Sequence, residues 1–377
     1  MKVLMTIPGL SAKSGGPSTC TSDMLDGLYG IGANVDLLTV TSDDILVKDR
    51  PWLKEVTNDY ITPFFISRNM QTILSQSNYD IYHANALWMG STHDTCRIAR
   101  KRSIPYIISP HGMLYPTALA INSWKKKILL ILWYYKDIYS ASCIHVTCQQ
   151  EAEYCRQFGY KGPIAVIPNP VVFPEGVEFK KKIDSQKKIG FLGRLHPIKK
   201  VENLLYGAAK AIKQGCEPFT IEIMGKGSDD YENYLRKEVD RLHLREVVNF
   251  VGFVSGKEKY DRLSQLRALM VPSEQENFGM IVPEALICGT PVYASLGTPW
   301  EELNSCHCGW WKDNSPERIA NVIQDILAKS DEEILQMGSN GRKLIEEKYE
   351  QKKVASMMFE LYKWILGEIN KPDFVYV

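Results

Sequence analysis

Two carboxylates flank a glycine turn in the segment ENFGMIVPE, residues 276–284. Pro283 suits the first turn of a helix, so this segment predicts a turn that leads directly into a helix. The predicted ligand-binding turn consists of consecutive residues, Phe278, Gly279, Met280 and Ile281. Amides at the start of a helix have no partner within it, and the positive end of the helix dipole adds to their effect. The last three residues of the turn therefore predict a phosphate-binding site.

The glutamates at the two ends of this segment have a matching chemistry. A carboxylate can accept two hydrogen bonds from a vicinal diol, so Glu276 and Glu284 are predicted to hold hydroxyls on either side of the phosphate. A nucleotide sugar has both diols, one on the sugar and one on the ribose. Glu276 lies nearer the preceding strand and is assigned to the sugar, whereas Glu284 lies one helical turn deeper and is assigned to the ribose.

Positive charge comes from the segment GRLHPIK, residues 193–199. Charge-assisted hydrogen bonds from Arg194 and Lys199 to a diphosphate would contribute roughly 1.5 to 3 kcal/mol each. If the same groups hold the nucleotide diphosphate as it departs, they stabilise the transition state, and the chemistry needs no metal. Arg194, Lys199 and Glu276 are therefore candidate catalytic residues. The alternative interpretation is that the two basic residues are solvated loop charges.

Other candidates follow predicted strands in the first half of the chain. His111, between Pro110 and Gly112, is predicted to hydrogen-bond the donor sugar or the reacting centre, and a structural histidine is the alternative. Gly15 and Gly16 follow the first predicted strand, where glycine permits positive φ and a close backbone approach to a diphosphate. An ordinary turn is the alternative for this pair.

Weaker signals occur in the second half. Gly252 and Phe253 end a predicted strand and are candidates for nucleobase contact, with a buried aromatic residue as the alternative. Lys226 lies between two glycines and is a candidate for the same phosphates or a solvated turn. The soft ligands in the segment CHC, residues 306–308, are adjacent and have no second cluster, so no metal site is predicted.

The pattern of apolar residues along the chain predicts the strands and helices that position these residues. Short β-rich runs alternate with longer amphipathic runs, which is typical of a parallel sheet covered by helices. The pattern pauses at residues 173–188, the predicted interdomain linker. We therefore predict Rossmann-like domains at residues 1–172 and 189–353, and a final helix and tail at 354–377. In such folds ligands bind beyond the carboxyl ends of strands, where the candidate residues lie.

These motifs resemble those of retaining glycosyltransferase family 4. Residues 276–284 are similar to its spaced-glutamate motif, and residues 193–199 to the segment whose Arg and Lys grip the donor diphosphate. The turn at 110–112 is similar to its histidine turn, and the segment IPNP at 167–170 to its end-of-domain signature. The segments occur in the order found in the family and cover nearly the whole chain.

The resemblance implies an α/β protein of the GT-B fold, with two Rossmann-like domains facing a central cleft and a C-terminal helix that crosses back to the N-terminal domain. The N-terminal domain would be on the acceptor side, and the C-terminal domain would bind the nucleotide sugar. The implied activity is metal-independent transfer of a hexose, with retention, from a UDP- or GDP-linked donor to a hydroxyl of a glycan or lipid-linked glycan. No cofactor is expected. The segment TPWEEL at 298–303, followed by GWW at 309–311, resembles a pattern in family members that assemble bacterial surface polysaccharides.

The composition of the chain bears on its partners and on its cellular compartment. The chain has 377 residues, with 45 basic and 44 acidic side chains, so no global field favours nucleic acid. Its nine cysteines are scattered and odd in number, which predicts a reducing, cytoplasmic setting. The N-terminus lacks the apolar core of a signal peptide, and no run is long enough to span a bilayer.

One segment suggests contact with a membrane surface. Residues 124–136 combine lysines with Trp, Tyr and aliphatic side chains, and they are predicted to contact an anionic surface at the inner face of the plasma membrane. A core helix with an exposed lysine edge is the alternative.

Rival functions are tested against the same residues. A glycoside hydrolase would use two carboxylates but has no need of a basic pair for a diphosphate. An NAD-dependent enzyme would show a glycine fingerprint that the residues after the first strand do not match. A sugar-nucleotide epimerase of the same architecture and a noncatalytic nucleotide-sugar-binding protein remain open as alternatives.

Overall fold

The computed structural model describes residues 1–11, 16–61, 65–174, 181 and 186–377. They form two compact α/β units: Met1–Val172 together with Tyr349–Val377, and Phe173–Lys348. Gly15 and most of the predicted linker lie outside the described residues.

The strands in chain order are β1 (Lys2–Thr6), β2 (Asn34–Val40), β3 (Leu53–Val56), β4 (Ile81–Asn85), β5 (Tyr106–Ser109), β6 (Cys143–Val146), β7 (Ile164–Val166), β8 (Lys188–Leu192), β9 (Thr220–Met224), β10 (Val248–Gly252), β11 (Ala268–Val271), β12 (Val292–Ser295), β13 (Gly309–Lys312) and β14 (Val375–Tyr376).

The α-helices are α1 (Gly16–Gly30), α2 (Arg68–Gln76), α3 (Gly90–Lys101), α4 (Pro116–Ala120), α5 (Ser123–Leu129), α6 (Tyr135–Tyr139), α7 (Gln149–Gln157), α8 (Val201–Lys213), α9 (Asp229–Arg241), α10 (Gly256–Gln265), α11 (Ile281–Ile287), α12 (Glu302–Ser305), α13 (Pro316–Ala328), α14 (Asp331–Leu344) and α15 (Gln351–Ile365). Leu130–Tyr134 and Ile345–Tyr349 are π-helical, and Pro197–Lys199 forms a 3-10 turn.

The sheet of the first unit has the order β14-β7-β6-β5-β4-β1-β2-β3. Its neighbouring strands are parallel except for β14, which is antiparallel to β7. Both faces are covered, because alternate side chains of β1 enter different cores. Leu4 belongs to one buried cluster, and Val3 and Met5 belong to the other. This two-sided burial explains why the strands are almost continuously apolar.

The C-terminal helix α15 belongs to the first unit, as the resemblance implies for the final helix. Its packing against α1 is close, since a Cβ placed on Gly27 would lie 2.9 Å from Cβ of Ala355. The chain enters this unit before the predicted boundary at 354. The Val171 amide donates to the Tyr349 carbonyl at 2.8 Å, so the π-helical turn after α14 already ends on the first unit.

The sheet of the second unit has the order β10-β9-β8-β11-β12-β13, and all its neighbouring strands are parallel. The order of the strands along the chain reverses between β8 and β11. Loops leave such a reversal point in opposite directions and open a crevice at the carboxyl ends of the strands. The loop after β8 carries Arg194 and Lys199, and the loop after β11 carries Glu276. The fold therefore brings these segments together.

Among the described residues, no helix is both long enough and apolar enough to cross a membrane.

Candidate active site

Neighbouring strand ends of the second unit are joined by backbone hydrogen bonds. The Gly193 amide donates to the Met224 carbonyl at 3.0 Å, and the Gly225 amide donates to the Gly252 carbonyl at 2.7 Å. A Cβ on Gly225 would overlap the carbonyl oxygen of Gly193, so only glycine allows this approach. These contacts fix the base of the loop that carries Arg194.

Arg194 projects from this loop as an exposed side chain. It forms no ion pair with any residue in the described ranges, whereas the next residue, Leu195, is buried and anchors the loop. Lys200, the residue after Lys199, has φ 50° and pairs with Glu274 at 3.0 Å. The exposed guanidinium is thus mounted on a fixed backbone, and it is available to an anion.

Lys226 lies beside Arg194 at the end of the neighbouring strand. Its side chain is exposed, and its carbonyl accepts a hydrogen bond from the Leu195 amide at 2.9 Å. The fold therefore brings a further positive charge to this edge of the sheet.

Lys199 and Glu276 form the centre of the site. Lys199 Nζ lies 2.5 Å from Glu276 Oε1, and Ser273 Oγ donates to the same oxygen at 2.8 Å. The Glu276 amide donates to the Gly297 carbonyl at 2.9 Å, which fixes the backbone as well. No described residue donates to Glu276 Oε2. The carboxylate is therefore held in position with one oxygen available to a hydroxyl.

The turn after Glu276 presents backbone amides. Gly279 has φ 77°, a value that favours glycine, and its carbonyl accepts from the Val282 amide at 2.9 Å. The amides of Gly279, Met280 and Ile281 make no backbone hydrogen bond within the part of the chain that the structure describes. These three donors lie where the sequence predicts a phosphate. The helix that follows, α11, has only 7 residues, so the free amides matter more here than the dipole.

Phe278 anchors the amide turn to the core of the second unit. Its side chain is buried and packs on Trp300 with ring centroids 5.1 Å apart, and its carbonyl accepts from Trp300 Nε1 at 2.6 Å. The aromatic pair therefore holds the amide turn in place, and the ring itself faces the core.

Glu284 has a partner that sequence reasoning missed. Lys259 Nζ on α10 lies 2.8 Å from Glu284 Oε1, and both side chains are about four-fifths buried, with 20% and 19% exposure. The pair orients the carboxylate that is assigned to the ribose.

The weak nucleobase candidates lie at the end of β10. Gly252 has φ 89°, and Phe253 is 70% exposed. An exposed ring at the carboxyl edge of the sheet is available for stacking, and the alternative of a buried aromatic residue does not apply to Phe253.

The hydrogen bonds of His111 in the first unit define which of its ring nitrogens carries the proton. His111 Nε2 lies 2.9 Å from Asn85 Oδ1, and Asn85 Nδ2 donates to the Thr6 carbonyl at 3.3 Å. The amide orientation makes Oδ1 the acceptor, so His111 carries its proton on Nε2. Burial lowers the pKa of His111 to about 3, so the ring is neutral near pH 7 and Nδ1 can accept a hydrogen bond.

A buried carboxylate fixes the turn that carries this histidine. Glu151 Oε1 accepts from the Gly112 amide at 2.5 Å, and Oε2 accepts from the Thr147 amide at 2.9 Å. His111 has φ 50°, a left-handed value that is uncommon for residues other than glycine. The hydrogen bond from the Gly112 amide to Glu151 fixes the backbone at the following residue. Sequence reasoning did not single out Glu151, because its partner lies far along the chain.

Gly16 is the first residue of α1, and a Cβ placed on it would meet no atom within 4 Å. Packing within the described residues therefore does not require glycine there, and the space is open to a ligand.

A chain of buried hydrogen bonds runs beneath His111. His145 Nε2 donates to the Ile167 carbonyl at 2.9 Å, so its Nδ1 accepts from Ser109 Oγ at 2.7 Å. Ser109 in turn accepts from His83 Nε2 at 2.6 Å, and His83 Nδ1 accepts from Tyr362 Oη of α15 at 2.9 Å. All hydrogen bonds in this series can form together only while His83 and His145 are both neutral.

We expect acid to destabilise the first unit through these histidines. Burial lowers the pKa of His145 to about 4, and burial lowers the pKa of His83 well below its usual value. Both protonate near pH 6.5 when unfolded, so their contribution is complete above pH 6.5 and is lost as the pH falls towards 4. At pH 5 the loss is about 2 kcal/mol for His145, and protonation of His83 acts in the same direction. Urea denaturation at pH 7.5 and 5.0 measures it. H145Q should reduce the pH dependence, and equal dependence in the variant would contradict this origin.

Within the described ranges, no group of three or more His, Cys, Asp or Glu side chains is arranged to hold a metal ion.

Comparison with known proteins agrees with this architecture. Residues 14–172 match the family model "Glycosyltransferase Family 4", and residues 175–344 match "Glycosyl transferases group 1". An uncharacterized glycosyltransferase of Methanocaldococcus jannaschii is 26% identical over 377 residues, covering 93% of this chain and 94% of that protein. D-inositol 3-phosphate glycosyltransferase 2 of Catenulispora acidiphila is 27% identical over 236 residues, covering 58% of this chain and 55% of the relative.

Solved structures are similar over the full chain. Sucrose-phosphate synthase from Thermosynechococcus elongatus aligns with a TM-score of 0.76 at 18% identity, covering 98% of this chain and 100% of that one. Anabaena HepE, solved with UDP-glucose, aligns with a TM-score of 0.73 at 18% identity, covering 97% and 100%. The family models, the relatives and the shared fold place this chain among the glycosyltransferases of the GT-B fold.

Proposed function

We propose that this protein transfers a hexose, with retention, from a nucleoside diphosphate sugar to a hydroxyl of a glycan or lipid-linked glycan. The observation that carries the proposal is in the second unit. The loop at the carboxyl end of β8 carries exposed Arg194 and partly buried Lys199. The segment after β11 adds a turn of free amides with a fixed carboxylate on either side of it.

The basic residues and the amides suit the diphosphate. Arg194 supplies a planar fork that can bind two phosphate oxygens, and Lys199 supplies a compact charge. When the bond between the sugar and the β-phosphate breaks, negative charge collects on the departing diphosphate. Arg194 and Lys199 would stabilise that charge more than they stabilise the intact donor, and we therefore propose that no metal takes part.

Lys199 links donor binding to sugar binding. Its ammonium group already contacts Glu276, so one cation can contact the leaving phosphate and orient the carboxylate beside it. Glu276 Oε2 would accept a hydrogen bond from a sugar hydroxyl, and Glu284 would accept from the ribose. Lys199 and Ser273 both donate to Glu276 Oε1. Because that oxygen is already occupied, we assign Glu276 the role of accepting a hydrogen bond from a sugar hydroxyl and not the role of a general base.

Comparison and sequence support the choice of donor and acceptor classes in this proposal. The structural neighbour solved with UDP-glucose supports a UDP-linked donor, whereas a mannosyltransferase of Mycobacterium tuberculosis that is GDP-mannose-dependent is 29% identical over 99 residues, covering 26% of this chain and 26% of the relative. Both bases stay in the proposal. The segment TPWEEL at 298–303 supports a role in surface polysaccharide assembly. The scattered and odd number of cysteines supports a cytoplasmic setting.

The direct experiment is product analysis. The protein is incubated with UDP- and GDP-linked hexoses and a panel of glycan and lipid-linked acceptors, with and without a chelator. We expect release of one nucleoside diphosphate that depends on acceptor, and proton NMR of the product should show the anomeric configuration of the donor. An inverted product would overturn retention, loss of activity in the chelator would overturn metal independence, and donor isomerisation without acceptor would support an epimerase.

A further inference from the structure

Residues 121–139 present a contiguous series of exposed apolar and aromatic side chains. The exposed members are Ile121, Trp124, Ile128, Ile131, Leu132, Tyr135 and Tyr139. Ile131 is 79% exposed and Leu132 is 66% exposed. Exposed apolar groups that follow one another along helical turns differ from the scattered single residues of an ordinary surface.

The same segment also packs inward, which explains how it stays folded. Tyr134 is fully buried and donates through Oη to the Met89 carbonyl at 2.6 Å. Trp133 stacks on His93 with centroids 4.8 Å apart, and Ile138 is fully buried. One side of the segment therefore anchors it to the unit, and the other side meets solvent. The alternative of a core helix with only a lysine edge exposed does not describe this segment.

The exposed charges of the segment are all positive. Lys125, Lys127 and Lys136 are exposed, whereas Lys126 Nζ donates to a backbone carbonyl within the unit. The acidic residue of the segment, Asp137, is buried and pairs with basic side chains from α3. The apolar surface is thus surrounded by cations without an exposed carboxylate in residues 121–139.

We propose that this face, residues 121–139, docks the first unit on an anionic bilayer surface. Lysines are attracted by anionic headgroups, Trp and Tyr favour the interface, and aliphatic side chains enter the boundary of the acyl region. Lys125 Nζ lies 5.5 Å from the ring centroid of Trp124, so a cation and an interfacial aromatic ring lie side by side on this face. A soluble partner with a mixed surface would not favour cations alone around the apolar groups. Docking goes beyond sugar transfer, and it can be measured without donor or acceptor.

Flotation of the full chain with vesicles tests the proposal. Vesicles of phosphatidylglycerol with phosphatidylcholine provide the anionic surface, and pure phosphatidylcholine provides the neutral one. The charge variant is Lys125→Ser, Lys127→Ser and Lys136→Ser. Its matched control changes exposed lysines elsewhere, Lys213→Ser, Lys237→Ser and Lys352→Ser, and has the same net charge. An apolar variant, Ile131→Ser with Leu132→Ser, removes aliphatic contact at exposed positions that do not support the core.

We expect the wild type to float with anionic vesicles. The charge variant should bind about a hundredfold more weakly, the control should match the wild type, and the apolar variant should lose about tenfold or more. Circular dichroism confirms the fold of each variant. Absence of wild-type flotation with either vesicle, or equal loss in the charge variant and its control, would overturn the proposal. A concentration-dependent dimer that the apolar variant abolishes, without vesicle binding, would assign the face to a second copy of the chain.

Discussion

Arg194→Ala and Lys199→Ala should each slow sugar transfer about ten- to a hundredfold, a loss of roughly 1.4 to 2.8 kcal/mol of transition-state stabilisation. The reason is that each variant removes a positive charge from the departing diphosphate. Lys199→Ala also frees Glu276, because the lysine and the carboxylate lie 2.5 Å apart. The loss of activity in the double variant Arg194→Ala, Lys199→Ala should therefore differ from the sum of the losses in the two single variants. Steady-state kinetics with the identified donor provide the measurement.

Lys237→Ala is a suitable control for this pair, since it removes an exposed lysine from α9 of the same unit. Its kinetics should equal those of the wild type. Unchanged kinetics in both Arg194→Ala and Lys199→Ala, with the fold intact, would rule out the assignment of these residues to the diphosphate.

The two glutamates should respond differently to substitution by glutamine. Glu276→Gln should lower kcat about ten- to a hundredfold with little change in affinity for the free nucleoside diphosphate, because this carboxylate is assigned to the transferred sugar. Glu284→Gln should chiefly raise the donor KM, because it is assigned to the ribose. Titration calorimetry with the free diphosphate separates the two effects.

Lys259→Met supplies a comparison for the ribose assignment, since it keeps the Glu284 carboxylate and removes the ammonium group 2.8 Å away. It should weaken nucleotide binding less than Glu284→Gln does. If Glu276→Gln weakened diphosphate binding and Glu284→Gln left it intact, the roles of the two glutamates would be exchanged.

Much of the fold could be predicted, because buried parallel strands are short, apolar and regularly spaced. β5 and β11 are buried along their whole length, and such runs form the β-rich part of the alternation that predicts a parallel sheet. The edge strand β3 cannot be recognised from an apolar pattern, because Lys54 and Glu55 at its centre are exposed. β14 has too few residues to form a pattern, and its position depends on the return of the chain to β7.

The site could be predicted where its chemistry is local. Arg194, Lys199 and Glu276 lie in short segments with a recognisable spacing, and the reversal between β8 and β11 brings those segments together. Lys259 and Glu151 could not be found in this way. Each acts through a partner on another element, and nothing in the neighbouring sequence distinguishes it from a solvated charge.

Stabilisation by nucleoside diphosphates tests the central claim most directly. Unfolding of the wild type and of the Arg194→Ala, Lys199→Ala double variant is followed with UDP, GDP and ADP over a range of concentrations. A diphosphate at 100 times its dissociation constant should stabilise the wild type by about 2.7 kcal/mol. We predict that UDP or GDP gives the largest effect and that the double variant loses most of it. Absence of stabilisation by all three diphosphates, or equal stabilisation of the double variant, would contradict a donor site built on Arg194 and Lys199.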